Sequence, residues 1–129
     1  MNTDASISQL QAFSFDDGRI EDVRIAGDEA WINFVDWRER RFVIHFTNVA
    51  FFQTSGVGDT VGGRVRRNSP EIEQVLEAQE FPGVSEERRK LLRERLVQLE
   101  ILGHGGTTDV VFENCEVKEA LPSTGSSRT

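Results

Sequence analysis

The strongest strand signal in the chain lies between Trp31 and Phe52. Two runs of β-branched and aromatic residues, Trp31–Trp37 and Phe42–Phe52, are separated by the charged residues 38–41. Neither run contains Pro or Gly, and Val, Ile, Phe and Trp favour a pleated strand over a helix. Apolar residues occupy both odd and even positions, which is typical of a strand covered on both faces or of a sandwich core. We therefore predict two paired central strands.

Two further strands are predicted before this centre. Ile7–Phe15 forms a weak first strand, and Arg19–Ala26 forms a second strand after the turn at residues 16–18. Ile20 is out of phase with the apolar residues that follow it, which predicts a β-bulge. Because the connections between these four strands are short, an antiparallel meander is the simplest topology.

The second half of the chain predicts helices and a closing strand pair. The second central run either stops near Asn48 or continues to Phe52, and the glycine-rich residues 53–63 predict a loop. Ser69-Pro70 is typical of a helix start, with a hydroxyl cap followed by proline, and Ser85 predicts a second start. Apolar and polar residues alternate over residues 96–102 and 109–117, which predicts two strands joined by a hairpin loop at residues 103–106.

Length and composition agree with one domain. The chain has 129 residues, of which 37% are hydrophobic and 29% charged, as in ordinary globular proteins. We predict a β-rich α+β domain over residues 1–119: an antiparallel meander of about four strands, a C-terminal strand pair and one or two short helices, arranged as a sandwich or half-open barrel. Residues 120–129 predict a disordered tail. Its LPSTG segment matches the sortase pattern L-P-x-T-G, which we interpret as chance or an added tag.

The net charge, the apolar runs and the cysteine content of the sequence limit the possible classes of function. The net charge of −7 disfavours nucleic acid and anionic membranes and would favour a basic protein partner, although solubility is the commoner reason for such a charge. No run approaches the roughly 18 apolar residues of a membrane span, and the N-terminus does not resemble a secretory signal. The single cysteine, Cys115, excludes an internal disulfide. We expect a cytoplasmic protein with a protein partner, and a homodimer remains open.

Acidic turns and one tryptophan form the first candidate site. Asp16 and Asp17 precede a predicted strand, and Asp36 and Trp37 end the first central run. If the meander brings these turns together, they form an acidic and aromatic rim suited to binding a protein. Turn formation is the alternative role for the aspartates, and burial in the core is the alternative for Trp37.

The two histidines form an alternative site. His45 lies in mid-strand and points opposite to Ile44 and Phe46, whereas His104 lies in the glycine-rich hairpin. With nearby carboxylates, either could serve a small enzyme or a ligand-binding domain as base or ligand. A half-buried histidine with a local hydrogen bond and an exposed loop histidine are the commoner explanations. Two histidines and one thiol lack metal-ligand spacing, so neither a metal nor a cofactor is expected.

Four segments share a pattern with a group of known proteins: DGRIEDVRI, the strand that ends in DW, FVIHFTNVAFF, and the pair LEILG and VVFENCEV. Over residues 10–118 this pattern resembles small β-rich bacterial domains of unknown function, some grouped with immunity proteins of toxin systems. The resemblance implies a non-catalytic protein that inhibits a toxin by covering its active site, and it supplies no motif of functional residues. We therefore expect a binding module rather than an enzyme.

Overall fold

The computed structural model describes residues 3–11, 14–78 and 86–120. Within these ranges the chain forms the helices α1 (Thr3–Gln11), α2 (Pro70–Ala78) and α3 (Glu86–Arg95). The strands are β1 (Arg19–Ala26), β2 (Glu29–Val35), β3 (Arg41–Thr47), β4 (Phe51–Thr54), β5 (Gly58–Arg66), β6 (Val97–Gly103), β7 (Gly106–Phe112) and β8 (Asn114–Glu119). The predicted β-rich α+β class is confirmed. No helix in these ranges has the length and apolar character that a bilayer span requires.

All of these strands join one antiparallel sheet, in the order β4-β7-β6-β5-β1-β2-β3-β8. β7 and β8 are separated only by Glu113 along the chain, yet they lie near opposite ends of that order. The sheet must therefore fold over onto itself. Its two inner faces share one buried cluster, in which Ile32 and Ile44 from one half pack with Leu99 and Val110 from the other. The main core thus lies between the two halves of a single folded sheet.

The predicted central pair is β2 and β3. Ile32 lies opposite Ile44 and Phe34 opposite Phe42, in an unbroken antiparallel register. Ile32, Phe34, Ile44 and Phe46 are almost completely buried. The side chains between them, such as His45, are only partly buried. One face of the pair therefore forms the core, and the other face remains accessible.

β1 matches its predicted bounds and its predicted bulge. It pairs with β2 from Arg19 opposite Val35, and the register shifts between Ile20 and Asp22. Gly18 enters this strand where the backbone is crowded, because a Cβ at that position would lie 2.6 Å from the carbonyl oxygen of Val35. Only glycine fits there without displacing the neighbouring strand.

The predicted first strand, Ile7–Phe15, is wrong, because the chain forms α1 at Thr3–Gln11. Ile7 and Leu10 are three residues apart, so one helical face brings both to the core cluster. Gln9 Oε1 accepts a hydrogen bond from the backbone N–H of Val117 at 2.9 Å, which ties the helix to β8. Packing against the folded sheet selects the helix over the weak local strand pattern.

The predicted loop over residues 53–63 is also wrong in most of its length. β4 runs to Thr54 and pairs with β7, and β5 begins at Gly58 and pairs with β6 and β1. The central run stops at Asn48, whose φ of 53° breaks the strand before β4 begins. Gly63 lies where a Cβ would come within 2.6 Å of the Phe15 ring. Gly63 therefore permits the Phe15 ring to pack closely against the backbone of β5.

α2 and α3 cover the outer face of the half that contains β6 and β7. Ser69 caps α2 as predicted, since its Oγ accepts the N–H of Ile72 at 3.2 Å. A second buried cluster joins Ile72, Val75 and Leu76 of α2 to Leu96 and Val111. The second predicted helix is present from Glu86, whereas its proposed cap Ser85 and the tail at 121–129 lie outside the described residues.

The predicted last strand, residues 109–117, is divided at Glu113 into β7 and β8. The extra residue changes the alternation, so Phe112 and Cys115 both join the main core cluster although they are an odd number of residues apart. Val111 joins the second cluster instead. Val111 and Cys115 therefore belong to different clusters, although strict alternation over one strand at residues 109–117 would put them on the same face.

Candidate functional site

The two halves of the sheet differ on their outer faces. α2 and α3 cover the outer face next to β6 and β7, whereas no described helix seals the outer face of β1, β2, β3 and β8. We call this second surface the uncovered face. Its side chains include Trp31, Asn33 and Val43, which are only partly buried. This partly exposed aromatic and polar sheet face lies outside the two buried clusters.

One row of side chains crosses all four strands of the uncovered face. Arg24 lies opposite Trp31, Trp31 opposite His45, and His45 opposite Glu116. The rings of Trp31 and His45 stack with centroids 4.9 Å apart and planes within 4°. The Arg24 guanidinium carbon lies 5.7 Å from the centroid of the Trp31 ring. Cross-strand stacking and cation–π attraction therefore hold the row in order.

Glu29 fixes the ring of His45. The imidazole Nε2 lies 2.7 Å from Glu29 Oε1, and the His45 side chain is 31% exposed. The predicted orientation of His45, away from Ile44 and Phe46, is confirmed, because those two residues are in the core. The hydrogen bond and the stack together explain the position of this histidine.

His104 lies apart from this row, in the turn between β6 and β7. Its backbone N–H donates to the carbonyl oxygen of Asp59 at 3.2 Å, and its side chain is exposed. The two histidines therefore lie in different halves of the sheet and are not brought together. Four depressions between described residues are lined by neither of them.

A shallow depression lies next to the row on the uncovered face. Asn33 Nδ2 donates to Asp22 Oδ2 at 3.4 Å, and Arg41 pairs with Glu21 across the sheet. The depression has a volume of about 290 Å³, and Val43 contributes to its lining. It combines two carboxylates, one amide and one guanidinium with the apolar side chains of Phe34, Phe42, Val43 and Ala120.

The residues of the predicted acidic and aromatic rim lie in two turns. The pairing of Arg19 with Val35 puts the Asp16-Asp17 turn and the Asp36-Trp37 turn at the same end of β1 and β2. Asp16 and Asp17 are exposed, and Asp17 has a φ of 55°, as expected of a turn residue. Their position beside the second turn follows from the register of the hairpin.

Asp36 is a buried turn residue. It is 4% exposed, and its Oδ1 accepts the N–H groups of Arg38 and Arg40, both at 2.9 Å. Its Oδ2 accepts Nε of Arg40 at 3.0 Å. Burial by itself raises the pKa of Asp36, but the hydrogen bonds from Arg40 and Arg38 outweigh it and lower the pKa below its usual value. Asp36 therefore shapes the turn that presents its neighbour.

Trp37 is the exposed residue of that turn. Its side chain is 58% exposed, and the Arg38 guanidinium carbon lies 4.7 Å from its ring centroid. Burial of Trp37 in the core, the alternative from the sequence, is wrong. Arg19 braces the same turn with two hydrogen bonds of 3.2 Å to the Glu39 carboxylate, and these lower the pKa of Glu39.

Sequence reasoning missed the row that contains Trp31 and Arg24. The alternation within each strand puts Trp31 on the face opposite to Ile32, and it does the same for His45 relative to Ile44. Only the register between strands reveals that Trp31 and His45 are neighbours. A search for aromatic and basic side chains on the same outer face of adjacent strands would have identified the row.

Arginines in the helix-covered half pair with carboxylates. Arg64 Nε lies 2.5 Å from Glu100 Oε1, and Arg93 Nε lies 2.7 Å from Glu73 Oε2. The hydrogen bond from Arg93 lowers the pKa of Glu73. Among the described residues, no group of three or more His, Cys, Asp or Glu side chains is placed to hold a metal ion.

Comparison of the chain with known protein families, with curated proteins and with solved structures finds no match. The function must therefore be argued from the geometry of the uncovered face.

Proposed function

We propose that this protein is a non-catalytic protein-binding module and that the uncovered face is its contact surface. One observation carries the proposal: Trp31 and His45 stack in parallel, partly exposed, on the face that the described helices do not seal. Aromatic side chains buried for stability usually lie in the core. A rigid, accessible pair outside the core is typical of a binding surface.

The composition of the face fits a protein partner. Trp and Arg are the residues most enriched among binding hot spots, and Arg24 lies against Trp31 in the same row. Trp37 is a second exposed aromatic side chain, in the turn that follows β2. The described depression beside the row is lined by neither histidine, which favours a broad contact over an enclosed reaction at this face.

The partner that fits this surface carries basic side chains. The depression beside the row is flanked by Glu21 and Asp22, and the whole chain has a net charge of −7. Opposite charge speeds association and selects partners. Together with the sequence resemblance to immunity-type domains, this supports a finer proposal: a cytoplasmic inhibitor that covers the active site of a bacterial toxin.

Binding measurements with alanine variants test the proposed contact surface. The product of the neighbouring gene is purified, and its affinity for the wild-type protein is measured by calorimetry. Trp31→Ala and Arg24→Ala should each weaken binding by about tenfold or more, as expected of hot-spot residues. Leu91→Ala and Arg95→Ala, at exposed positions on α3, are matched controls and should bind like the wild type.

Two results would count against the proposal. Wild-type affinity in both Trp31→Ala and Arg24→Ala would place the contact elsewhere. If the neighbouring protein keeps its toxic activity when it is fully bound by this protein, the inhibitor proposal is rejected, whereas the binding-module proposal still holds.

A further inference from the structure

The longest stretch without formal charge contains one edge strand of the sheet. Residues 42–58 contain no Asp, Glu, Lys or Arg, and this stretch includes the whole of β4. β4 comes at one end of the strand order and pairs with β7 on one side. Within residues 3–11, 14–78 and 86–120, no strand pairs with its other side.

The backbone of β4 is ready to accept another strand. Its pairing with β7 runs without a register shift from Phe51 to Thr54. The N–H of Ser55 donates to the carbonyl oxygen of Thr107 at 3.2 Å, which extends the ladder past the end of the strand. In an antiparallel ladder, alternate residues direct N–H and C=O groups away from the existing partner. An edge of this kind is a template for pairing.

The opposite edge of the sheet is protected, which makes the exposure of β4 specific. β8 packs against α1, and the side chain of Gln9 accepts the backbone N–H of Val117. β8 also carries Glu116, Lys118 and Glu119, and charged side chains on an edge discourage further pairing. β4 has no charged residue, no proline and no bulge. The fold therefore blocks one edge and leaves the other suited to pairing.

We propose that β4 is the site at which a second copy of this chain docks, by antiparallel pairing of the two β4 strands across a two-fold axis. A two-fold axis brings the same patch of both copies together, so an uncharged strand meets an uncharged strand without repulsion. Phe52 packs against the main core cluster and Phe51 against the second buried cluster beneath α2, and both side chains are partly exposed. Pairing would shelter an apolar side chain on each face of the joined sheet.

The size and charge of the contact predict a weak dimer. Four paired residues from each copy give an interface at the small end of the known range, so the dimer should depend on concentration. Two chains of net charge −7 repel each other at a distance, and salt screens that repulsion. Dimerisation should therefore increase with ionic strength. The contact uses the edge of the helix-covered half and is independent of the proposed binding face.

Sedimentation velocity over a concentration series tests the dimer with the chain alone. The wild-type mass should rise from monomer towards dimer between roughly 10 μM and 1 mM. Gln53→Lys adds a charge on the exposed side chain of β4 and should keep the protein monomeric. Gln74→Lys makes the same change at an exposed position on α2 and should behave like the wild type.

A charge-swap experiment makes the test independent of any loss of folding. Gln53→Lys and Gln53→Glu should each be monomeric, and an equimolar mixture should recover the dimer because opposite charges then face each other. A wild type that stays monomeric at 1 mM in high salt would overturn the proposal. Equal dimerisation of Gln53→Lys and Gln74→Lys, a mixture that fails to pair, or assemblies larger than a dimer would overturn it as well.

Discussion

The imidazole of His45 and the indole of Trp31 lie 4.9 Å apart and within 4° of parallel, on neighbouring strands of the uncovered face. This pair is held from both sides, by Glu29 at His45 and by Arg24 at Trp31. Both side chains keep part of their surface accessible. The pair therefore contributes a rigid surface to the outside of the sheet and adds nothing to the main core.

A double-mutant cycle should detect the coupling between these two rings. Trp31→Ala and His45→Ala, alone and together, are compared by urea unfolding, and the coupling energy should be about 0.5–1 kcal/mol because aromatic cross-strand pairs stabilise a sheet by that amount. Trp37→Ala combined with His45→Ala serves as the control cycle and should be additive. A coupling near zero for the first cycle would mean that the stack contributes nothing in solution.

Asp36 should make the stability depend on pH in the acid range. Its pKa is lowered below the usual 3.8 in the folded protein, so the unfolded chain binds a proton more readily than the folded one. The stabilisation is fully present above pH 3.8 and is lost as the pH falls through the lowered folded value. Asp36→Asn should cost about 1–3 kcal/mol at pH 7, because charge-assisted hydrogen bonds to Arg38 and Arg40 are weakened.

Unfolding of Asp36→Asn is measured from pH 7 down to pH 2. The gap between wild type and variant should narrow below pH 3.8, where Asp36 takes up a proton in the unfolded chain first. Asp17→Asn is the matched control, because Asp17 is exposed and asparagine tolerates its left-handed backbone. A gap that stays constant down to pH 2 would show that the Asp36 carboxylate is not responsible.

Gly18→Ala should destabilise the protein by about 1–3 kcal/mol. The added Cβ would meet the Phe34 ring and lie 2.6 Å from the carbonyl oxygen of Val35, and the backbone of β2 cannot move aside cheaply. Gly105→Ala is the control, because no atom of the described residues lies within 4 Å of its Cβ position. Thermal unfolding of both variants checks this, and an equal melting temperature would contradict the described approach of Gly18 to β2.

The buried pair Gln98 and Asp109 should be energetically coupled. Gln98 is fully buried, its Nε2 donates to Asp109 Oδ1 at 2.8 Å, and Thr107 Oγ1 donates to Asp109 Oδ2 at 3.2 Å. Asp109→Ala leaves the amide without its acceptor and should cost about 1–3 kcal/mol. Replacing both residues with leucine should recover part of that loss. A Gln98→Leu/Asp109→Leu double variant that is less stable than Asp109→Ala would argue against the pairing.

Local sequence patterns were sufficient to predict those elements whose determining residues lie close together in the chain. β1 with its bulge, the paired β2 and β3, and the Ser69 cap of α2 all follow from short-range periodicity and turn chemistry. α1 was missed because Leu10 becomes buried only when the sheet is complete. β5 was missed because its glycines resemble a loop until Phe15 packs against Gly63.

The sequence alone determined which side chains of β2 and β3 share a face, because successive residues of a strand point to opposite faces. It also placed Asp36 and Trp37 at the end of a predicted strand, before the connection at residues 38–41. Tertiary structure decided that Trp31 and His45 are neighbours, that Asp36 is buried while Trp37 is exposed, and which outer face the described helices cover. Register and coverage depend on contacts between segments far apart in the chain, and local periodicity carries no record of them.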